Sequence, residues 1–409
     1  MSRINENFLK LQKNYLFATV NKKVEEFKVK NPGKKIINIG IGDVTQPLPK
    51  VVVNAMKKAC EEMQEKSTFR GYGPELGYDF LKEKIIKYDY LSKGIRFEND
   101  EVFISDGINC DICNISEIFD VSNKVAIQDP VYPAYLDTNV MAGRSGEFNI
   151  TNYEKIIYLV ANNTNNFKPE IPKTKVDLIY LCYPNNPTGA VLTKDELKKW
   201  VDYARQNKAI ILYDSAYEAY IVDKNVPHSI YEIDGAKEVA IEFKSFSKSA
   251  GFTGIRCAYT IVPKELYGYT QNNEKVSLNE LWSRRQNTKF NGVSYITQRG
   301  AEATFLEEAK QEISKNIQCY LTNANIIKNG LNEAGFNTYG AVNSPYIWLK
   351  VPSGQNSWQF FDELLEKVNI VGLPGRGFGP SGEGYFRLTG FGGYEQTIEA
   401  IDRIKNEYT

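Results

Sequence analysis

Residues 239–262, VAIEFKSFSKSAGFTGIRCAYTIV, hold two apolar segments on either side of a turn rich in serine and glycine. Apolar segments of this length, with β-branched and aromatic residues, are typical of buried strands. The turn between them places Lys248 after Ser245 and Ser247 and ends at Arg256. A solvated lysine requires no such surroundings, so the pattern indicates a lysine that is held beside a phosphate-bearing ligand.

Similar apolar segments precede this stretch and alternate with helical patterns. Strands are predicted within EVFISDG (101–107), KVAIQDPVYPAY (124–135), VDLIYLCYPNNPTG (176–189) and AIILYDSAY (209–217). The helix before the last of these begins with Thr193 and Glu196, which form a capping box. Its apolar face is formed by Leu197, Trp200, Val201 and Ala204. Strands separated by helices predict an α/β fold with a mostly parallel sheet covered on both faces.

The pattern changes after about residue 295, where a long helical region is followed by the shorter strands SPYIWLK and GYFRLTG. This change indicates a second, smaller domain of the α+β type. We predict an N-terminal arm and part of the small domain in residues 1–45, a large domain in 46–295 and the small C-terminal domain in 296–409. Apolar residues at positions 4, 8, 11 and 15 predict a helix at the N-terminus.

Composition excludes several classes of function. The chain has 409 residues, and its 50 Lys and Arg balance 50 Asp and Glu, so no net charge favours nucleic acid or an anionic membrane as a partner. The apolar runs IIYLV (156–160) and AIILY (209–213) are too short to span a bilayer and are predicted as buried strands. The N-terminus lacks the apolar region of a signal peptide, so we expect a cytoplasmic location.

Histidine and cysteine usage argues against metal chemistry. The single histidine, His228, cannot form a histidine-rich metal site, and its Pro-bearing segment predicts a loop position. Cys110 and Cys113 form a C-x-x-C without a second ligand pair, so they are expected to pack on a helix as small apolar residues.

Polar residues collect where the predicted strands end. In open α/β sheets, ligands bind beyond the carboxyl ends of the strands. The residues at those ends are Asp106, Gly107, Tyr132, Asn185, Asn186, Asp214, Tyr217, Ser245, Ser247 and Lys248.

This set matches the needs of pyridoxal 5′-phosphate. Lys248 can bond to the cofactor aldehyde, and Asp214 can keep the pyridine nitrogen protonated. Asn186 and Tyr217 can hold the phenolic oxygen, and Tyr132 can stack on the ring. Lys248, Asp214 and Tyr132 are therefore the candidate catalytic residues.

The phosphate group of such a cofactor needs hydrogen-bond donors. Ser245, Ser247 and Arg256 can supply side-chain donors. Backbone N–H groups of Ile108 and Asn109, at the helix start after Gly107, can supply the rest.

Four segments, SFSKSAGFTGIR, CYPNNPTGA, YDSAYEAY and QDPVYPAY, together resemble the fold-type I aminotransferases, and most closely the LL-diaminopimelate aminotransferase subfamily. The resemblance extends over nearly the whole chain, through NYLFATV, INIGIGDVTQPLP, FRGYGPELG, SDGINCDI, KFNG and PGRGFGPSGEGYFRLTGF. It implies a fold-type I pyridoxal phosphate-dependent transferase that works as a homodimer with shared active sites. Its substrates would be amino acids and 2-oxo acids, LL-diaminopimelate and 2-oxoglutarate in lysine biosynthesis.

Substrate residues follow from the same resemblance. Arg387 is the expected bidentate partner of the substrate α-carboxylate, and Gly42 could add a backbone donor. Asn109, Tyr132 and Asn186 are expected to contact substrate as well as cofactor. The far end of the substrate would be held by Tyr15, Glu75 and Asn291, with Tyr15 and Glu75 coming from the neighbouring subunit. Tyr72 would reach across the dimer to the partner's cofactor phosphate, and the N-terminal helix would form an arm on the partner.

Two departures from the subfamily leave the substrate open. The subfamily usually has a lysine where this chain has Asn109, and RCAYT (256–260) departs from the usual glycine-tryptophan. An aminotransferase for another amino acid, such as lysine or a specialised-metabolite precursor, is therefore an alternative. A lyase or synthase on the same scaffold and a non-catalytic cofactor-binding protein are further alternatives, because fold alone does not fix the reaction.

Overall fold

The computed structural model describes residues 1–12 and 16–409. Its strands, in chain order, are β1 (Ile37–Asn38), β2 (Val102–Ser105), β3 (Val125–Asp129), β4 (Ile156–Val160), β5 (Leu178–Cys182), β6 (Ile210–Asp214), β7 (Ala240–Ser245), β8 (Ala258–Ile261), β9 (Tyr267–Tyr269), β10 (Lys275–Ser277), β11 (Thr338–Gly340), β12 (Tyr346–Lys350), β13 (Ile370–Val371), β14 (Leu373–Pro374) and β15 (Tyr385–Thr389). Its α-helices are α1 (Leu16–Lys30), α2 (Lys50–Gln64), α3 (Asp79–Ile85), α4 (Ile108–Ile115), α5 (Ala134–Met141), α6 (Lys194–Asn207), α7 (Phe246–Ala250), α8 (Leu278–Lys289), α9 (Tyr295–Ala303), α10 (Glu307–Glu333), α11 (Ser357–Glu363) and α12 (Tyr394–Tyr408).

The central sheet has seven strands in the order β2-β8-β7-β6-β5-β3-β4. Neighbouring strands are parallel except at β8, which is antiparallel to both β2 and β7. The predicted α/β fold with a mostly parallel sheet is therefore confirmed. Strand β4 lies at one edge, and its last residue, Val160, is exposed, so the prediction of a fully buried strand at 156–160 was wrong at that end.

Helices between the strands bury their apolar faces against this sheet. In α6, Thr193 Oγ1 accepts from the Glu196 amide at 3.3 Å, and the Glu196 carboxylate accepts from the Thr193 amide at 2.8 Å. This confirms the predicted capping box. The four residues of the predicted apolar face, Leu197, Trp200, Val201 and Ala204, are all buried.

A second, antiparallel sheet lies in the C-terminal part of the chain, in the order β11-β12-β15-β14. Strand β1 pairs in parallel with β13, and Leu16, Val20 and Phe27 of α1 join the apolar cluster that includes β12 and β15. Residues near the N-terminus thus pack with the C-terminal third of the chain. The domain boundaries at 45 and 295 stay a prediction.

The N-terminal segment differs from the predicted helix. A 3-10 helix covers Glu6–Lys10, Leu11 is extended, and α1 begins at Leu16. The Asn5 side chain accepts from the Asn7 amide at 3.1 Å and so caps a turn of only five residues. The continuous helix through residues 4–15 was therefore wrong in its described part, and Tyr15 lies outside the described residues.

The remaining predictions for single residues can be located. His228 lies on a loop, and Cys110 and Cys113 lie on α4, as predicted. Within residues 1–12 and 16–409, no group of three His, Cys, Asp or Glu side chains could hold a metal ion. None of the helices described there is long and apolar enough to cross a membrane.

Candidate active site

The directions of the strands bring the predicted residues together at one edge of the sheet, the one formed by the carboxyl ends of the parallel strands. Strands β3, β5, β6 and β7 end at this edge, and β8 begins there because it runs in the opposite direction. A cavity of about 440 Å³ lies at the edge. Its lining includes twelve of the predicted residues: Gly42, Ile108, Asn109, Tyr132, Asn186, Asp214, Tyr217, Ser245, Ser247, Lys248, Arg256 and Arg387.

A larger cavity of about 1360 Å³ lies at the opposite edge, near the first residues of β6 and β7. It is lined by many charged side chains, including Arg205 and Lys264, and by none of the predicted site residues. We therefore take the smaller cavity as the candidate active site.

Lys248 lies on the short helix α7, directly after β7. Ser245 caps this helix by accepting the Ser247 amide at 3.0 Å, and Gly251 ends it with φ +84°. The Lys248 amine donates to the carbonyl oxygen of Gly42. Burial lowers the pKa of Lys248 to about 8, so the neutral amine needed for bonding to an aldehyde is accessible near neutral pH.

Asp214 ends strand β6 with its carboxylate buried in the cavity wall. Its oxygens accept from the Tyr135 hydroxyl at 2.5 Å and from the Ala216 amide at 2.9 Å. Burial raises the pKa of Asp214 to about 6, although these hydrogen bonds favour the ionised form. A buried carboxylate of this kind is well suited to pair with a pyridinium N–H, which would restore its ionised state.

The phosphate end of the predicted site is formed where α4 begins. Gly107 has φ +143°, and a Cβ placed there would lie 2.1 Å from an Nη of Arg256. Glycine therefore lets the guanidinium approach the first turn of α4, where the amides of Ile108 and Asn109 have no intrahelical acceptor. With the hydroxyls of Ser245 and Ser247 in the same cavity, these donors fit a phosphate group.

Arg387 projects from β15 of the second sheet into the same cavity. Its Nη1 donates to Asn186 Oδ1 at 2.7 Å, and its Nη2 donates to the Gly40 carbonyl at 2.8 Å. The guanidinium lies between the rings of Tyr346 and Phe378, 4.7 and 4.9 Å from their centroids. A buried, aligned guanidinium with remaining N–H groups is suited to bind a carboxylate.

Tyr132 and Tyr217, which are predicted to contact the cofactor ring, are hydrogen-bonded to other residues that line the cavity. The Tyr132 hydroxyl donates to Asn109 Oδ1 at 3.4 Å. The Tyr217 hydroxyl is hydrogen-bonded with that of Tyr346. Both tyrosines line the cavity, and their contacts with a cofactor ring stay a prediction.

The described residues predicted for the far end of the substrate, Glu75 and Asn291, and Tyr72, predicted for the partner's cofactor phosphate, lie outside this cavity. Tyr72, Glu75 and Asn291 are exposed, and Tyr72 is 92% exposed. The loops of Glu75 and Asn291 adjoin, since a Cβ on Gly292 would lie 2.9 Å from the Pro74 carbonyl. Tyr15 is outside the described residues. The action of Tyr15, Glu75 and Tyr72 in a neighbouring subunit's site stays a prediction, as does the contact of Asn291 with substrate.

The sequence prediction missed several cavity residues, above all Tyr135 and Tyr346. Tyr135 follows Tyr132 by three residues, on the first turn of α5, and this helical spacing was a usable signal. Tyr346 begins strand β12, where the sequence offers no such signal. Phe17, Ile41 and Asp43 also line the cavity, from segments distant in sequence.

Known proteins resemble this chain over almost its full length. The family profile described as "Aminotransferase class I and II" matches residues 34–404. Curated proteins named LL-diaminopimelate aminotransferase are 59% identical in Parabacteroides distasonis, over 99% of both chains, and 56% identical in Prochlorococcus marinus, over 99% of this chain and 100% of that one. The solved L,L-diaminopimelate aminotransferase of Chlamydomonas reinhardtii is 44% identical, with a TM-score of 0.93 over 100% of this chain and 99% of that one.

Proposed function

The chain belongs to the class I and II aminotransferases, which depend on pyridoxal 5′-phosphate, and from this premise we propose that it is an LL-diaminopimelate aminotransferase. In the biosynthetic direction it converts tetrahydrodipicolinate and glutamate into LL-diaminopimelate and 2-oxoglutarate, a step toward lysine. The observation that carries the proposal is the 59% identity, over 99% of both chains, to a protein named for this activity.

Each residue of the site would have a separate role in the reaction. When bound, the cofactor supplies an electron-withdrawing ring that accepts the electron pair left at the substrate Cα. Lys248 would hold the cofactor through its ε-nitrogen, and its neutral amine would act as the base that moves the proton of the substrate Cα. Asp214 would keep the pyridine nitrogen protonated, and Tyr132 would lie against the ring. Asn186 and Tyr217 would donate to the phenolic oxygen.

Arg387 binds the α-carboxylate of each substrate in turn, with the backbone of Gly42 beside it. Both diaminopimelate and glutamate must use this one site, so their shared α-carboxylate is the natural anchor. The far end differs, because diaminopimelate carries an ammonium and a carboxylate there. Glu75 from a second copy would accept that ammonium, and Asn291 would add a neutral hydrogen-bonding group.

A homodimer follows from this arrangement, since Tyr72 and Glu75 act only in a site other than their own. Exposed apolar residues of the N-terminal segment, Ile4, Phe8 and Leu9, support an arm that packs on the partner. A cytoplasmic location is supported by six cysteines that are all free.

A coupled assay tests the substrate. We expect glutamate to form from LL-diaminopimelate and 2-oxoglutarate, and the Lys248→Ala variant to abolish this activity. Lysine, arginine and aromatic amino acids serve as comparison donors. Turnover of one of these donors, together with no turnover of LL-diaminopimelate, would refute the assignment while leaving the family unaffected.

Asn109 supports a second candidate, an aminotransferase of the same fold for another amino acid. Its amide lies in the cavity beside Tyr132 and can donate a hydrogen bond but carries no charge. The Asn109→Lys variant separates the candidates. If LL-diaminopimelate is the natural donor, the added charge should leave it the preferred donor. A new preference for it only in the variant would favour the second candidate.

A further inference from the structure

A group of charged side chains lies beside the loop that follows Asp214, the last residue of β6, and that carries Tyr217. Glu242 and Lys244 both project from β7 and are buried. Glu242 accepts hydrogen bonds from neutral donors, among them the Tyr90 hydroxyl at 2.7 Å. Glu242 also acts on the Lys244 ammonium, but the ion-pair contact within 4 Å is made by another carboxylate.

That carboxylate belongs to Glu218. One of its oxygens lies 3.5 Å from Lys244 Nζ, and the other lies 2.9 Å from Nδ1 of His228, the single histidine of the chain. Although burial favours the neutral acid, Lys244 and His228 lower the pKa of Glu218 to about 2. Burial disfavours the Lys244 ammonium, but the nearby carboxylates, Glu218 first, raise its pKa. The ion pair therefore stays charged at neutral pH.

Other charged groups also face this pair. Asp89 and Lys93, from the helical segment after α3, act on the Glu218 carboxylate, and Asp89 also faces the Lys244 ammonium. Asp89 is engaged by the Tyr259 hydroxyl at 2.6 Å. The ion pair that joins the loop to the strand is the one between Glu218 and Lys244. Ser215 of the same loop also donates hydrogen bonds to β7, from its amide to the Phe243 carbonyl at 2.9 Å and from its hydroxyl to the Glu242 carboxylate at 3.4 Å.

Both members of the ion pair are adjacent to residues of the candidate site. Glu218 directly follows Tyr217, and Lys244 directly precedes Ser245. A cavity of about 670 Å³ lined by Glu218 and Lys244 shares two wall residues, Ala216 and Ser245, with the site cavity. The two cavities are therefore adjacent, and Ala216 and Ser245 lie between them.

A further contact joins the same loop to the lysine of the site. Tyr220, which closes the turn begun by Glu218, donates its hydroxyl hydrogen to the Lys248 carbonyl oxygen at 2.8 Å. A shift of the loop would therefore be transmitted to α7 as well as to the ring-binding residues.

We propose that Glu218, Lys244 and His228 form a positioning triad, which fixes the loop after β6 against β7 and so sets the cofactor ring relative to Lys248. These side chains do not line the site cavity, so they act through Asp214, Tyr217 and Ser245. This ion pair suits the task because the Lys244 side chain is buried, whereas Glu218 is partly exposed. Separating the pair would leave an unpaired ammonium in the protein interior and so penalise any other loop position. The inference rests on the cofactor of the family and not on the identity of the amino donor.

The test uses cofactor binding and the absorbance spectrum of the loaded protein. In Glu218→Gln, which leaves Lys244 without its counter-charge, we expect the cofactor dissociation constant to rise about tenfold, because the ion pair no longer fixes the loop. The pH midpoint of the absorbance change of lysine-bound cofactor should shift as well, since the ring and Lys248 are displaced. Lys244→Arg, which keeps the charge, should stay near wild type, whereas Lys244→Met should behave like Glu218→Gln.

Glu363→Gln is the matched control. Glu363 pairs with Lys367 at 3.0 Å and is mostly buried, but it lies on α11, away from the site. It should change neither the cofactor affinity nor the absorbance midpoint, whatever its effect on the melting temperature.

Two results would overturn the inference. The first is a folded Glu218→Gln protein with wild-type cofactor affinity and an unchanged absorbance midpoint. If that variant does not fold, variants of the half-exposed His228 provide the test. His228→Leu, which removes a hydrogen bond to Glu218, should weaken cofactor binding, and His228→Gln should restore it. No difference between these two variants and wild type is the second overturning result.

Discussion

Replacing Arg387 by lysine should weaken both half-reactions by the same factor. The guanidinium is 1% exposed and is held by Asn186 and Gly40 at 2.7 and 2.8 Å, which aligns its N–H groups with the cavity. Lysine keeps the charge but loses the planar fork, so one of the two hydrogen bonds to a substrate carboxylate is lost. It also cannot satisfy both Asn186 and Gly40 while binding substrate.

The magnitude follows from the lost bond. A hydrogen bond between charged groups contributes about 1.5–3 kcal/mol, which corresponds to a fall in kcat/KM of roughly 10- to 150-fold. The fall should be equal for LL-diaminopimelate and for 2-oxoglutarate, because the two substrates share the α-carboxylate and differ at the far end.

Steady-state kinetics with each substrate varied in turn, together with cofactor titration, is the assay. Cofactor affinity should be unchanged in Arg387→Lys, whereas the control variant Arg256→Lys should lower cofactor affinity first. A fall in kcat/KM for only one of the two substrates would refute the reasoning, because a shared carboxylate site cannot distinguish them in this way.

Three further outcomes are expected. Since burial lowers the pKa of Lys248 to about 8 and only the neutral amine attacks, the stopped-flow rate of cofactor attachment to cofactor-free protein should rise with pH and level off above about 8; a flat profile would contradict this. Burial raises the pKa of Asp129 to about 6 despite hydrogen bonds from Ser381, so the group stabilises the fold fully below its unfolded pKa and loses that contribution, up to about 3 kcal/mol, as pH rises to 6; denaturant unfolding of Asp129→Asn should lack this slope. Mixing Lys248→Ala and Glu75→Ala subunits should restore about a quarter of wild-type activity if each site draws on both chains, whereas mixing Lys248→Ala with Arg387→Ala should restore none.

The sequence predicted the central sheet well because its signals are local. Each apolar run is bounded by turn residues, and the capping box at Thr193 and Glu196 closes within a single turn of helix. The convergence of Asp214 and Lys248 could also be predicted, because parallel strands place their carboxyl ends at one edge.

Arg256 lies at the same edge for a different reason, the antiparallel direction of β8, which the pattern of strands and helices does not predict. It precedes β8, whose antiparallel pairing Ser245↔Ala258 returns the chain to the edge that β7 has just left. A parallel β8 would have carried Arg256 to the opposite side of the sheet. The spacing of Ser245, Ser247, Lys248 and Arg256 in the turn, rather than the alternation of strands and helices, pointed to this residue.

The failures have a physical cause in common. The apolar residues at 4 and 8 follow a helical period, yet an α-helix in this segment has no core to pack against, and both side chains are exposed. Tyr135 and Tyr346 were missed because their roles depend on partners far away in sequence, Asp214 and Tyr217. Periodicity reports which face of an element is apolar, but not which hydroxyl meets which carboxylate.

The site joins two sheets through the Arg387 guanidinium and through the hydrogen bond between Tyr346 and Tyr217, and the first of these links has a consequence for substrate binding. The residues predicted for the cofactor come from the carboxyl edge of the central sheet, whereas Arg387 comes from β15 of the antiparallel sheet. Its contact with Asn186, in the loop after β5, crosses between the sheets. A displacement of the smaller sheet would break this contact and leave a buried charge partly unpaired, which is unfavourable. A substrate carboxylate on Arg387, fixed to the cofactor at its other end, adds hydrogen bonds across the same gap. Substrate binding and the relative position of the two sheets are therefore coupled, and a substrate without an α-carboxylate loses both effects at once.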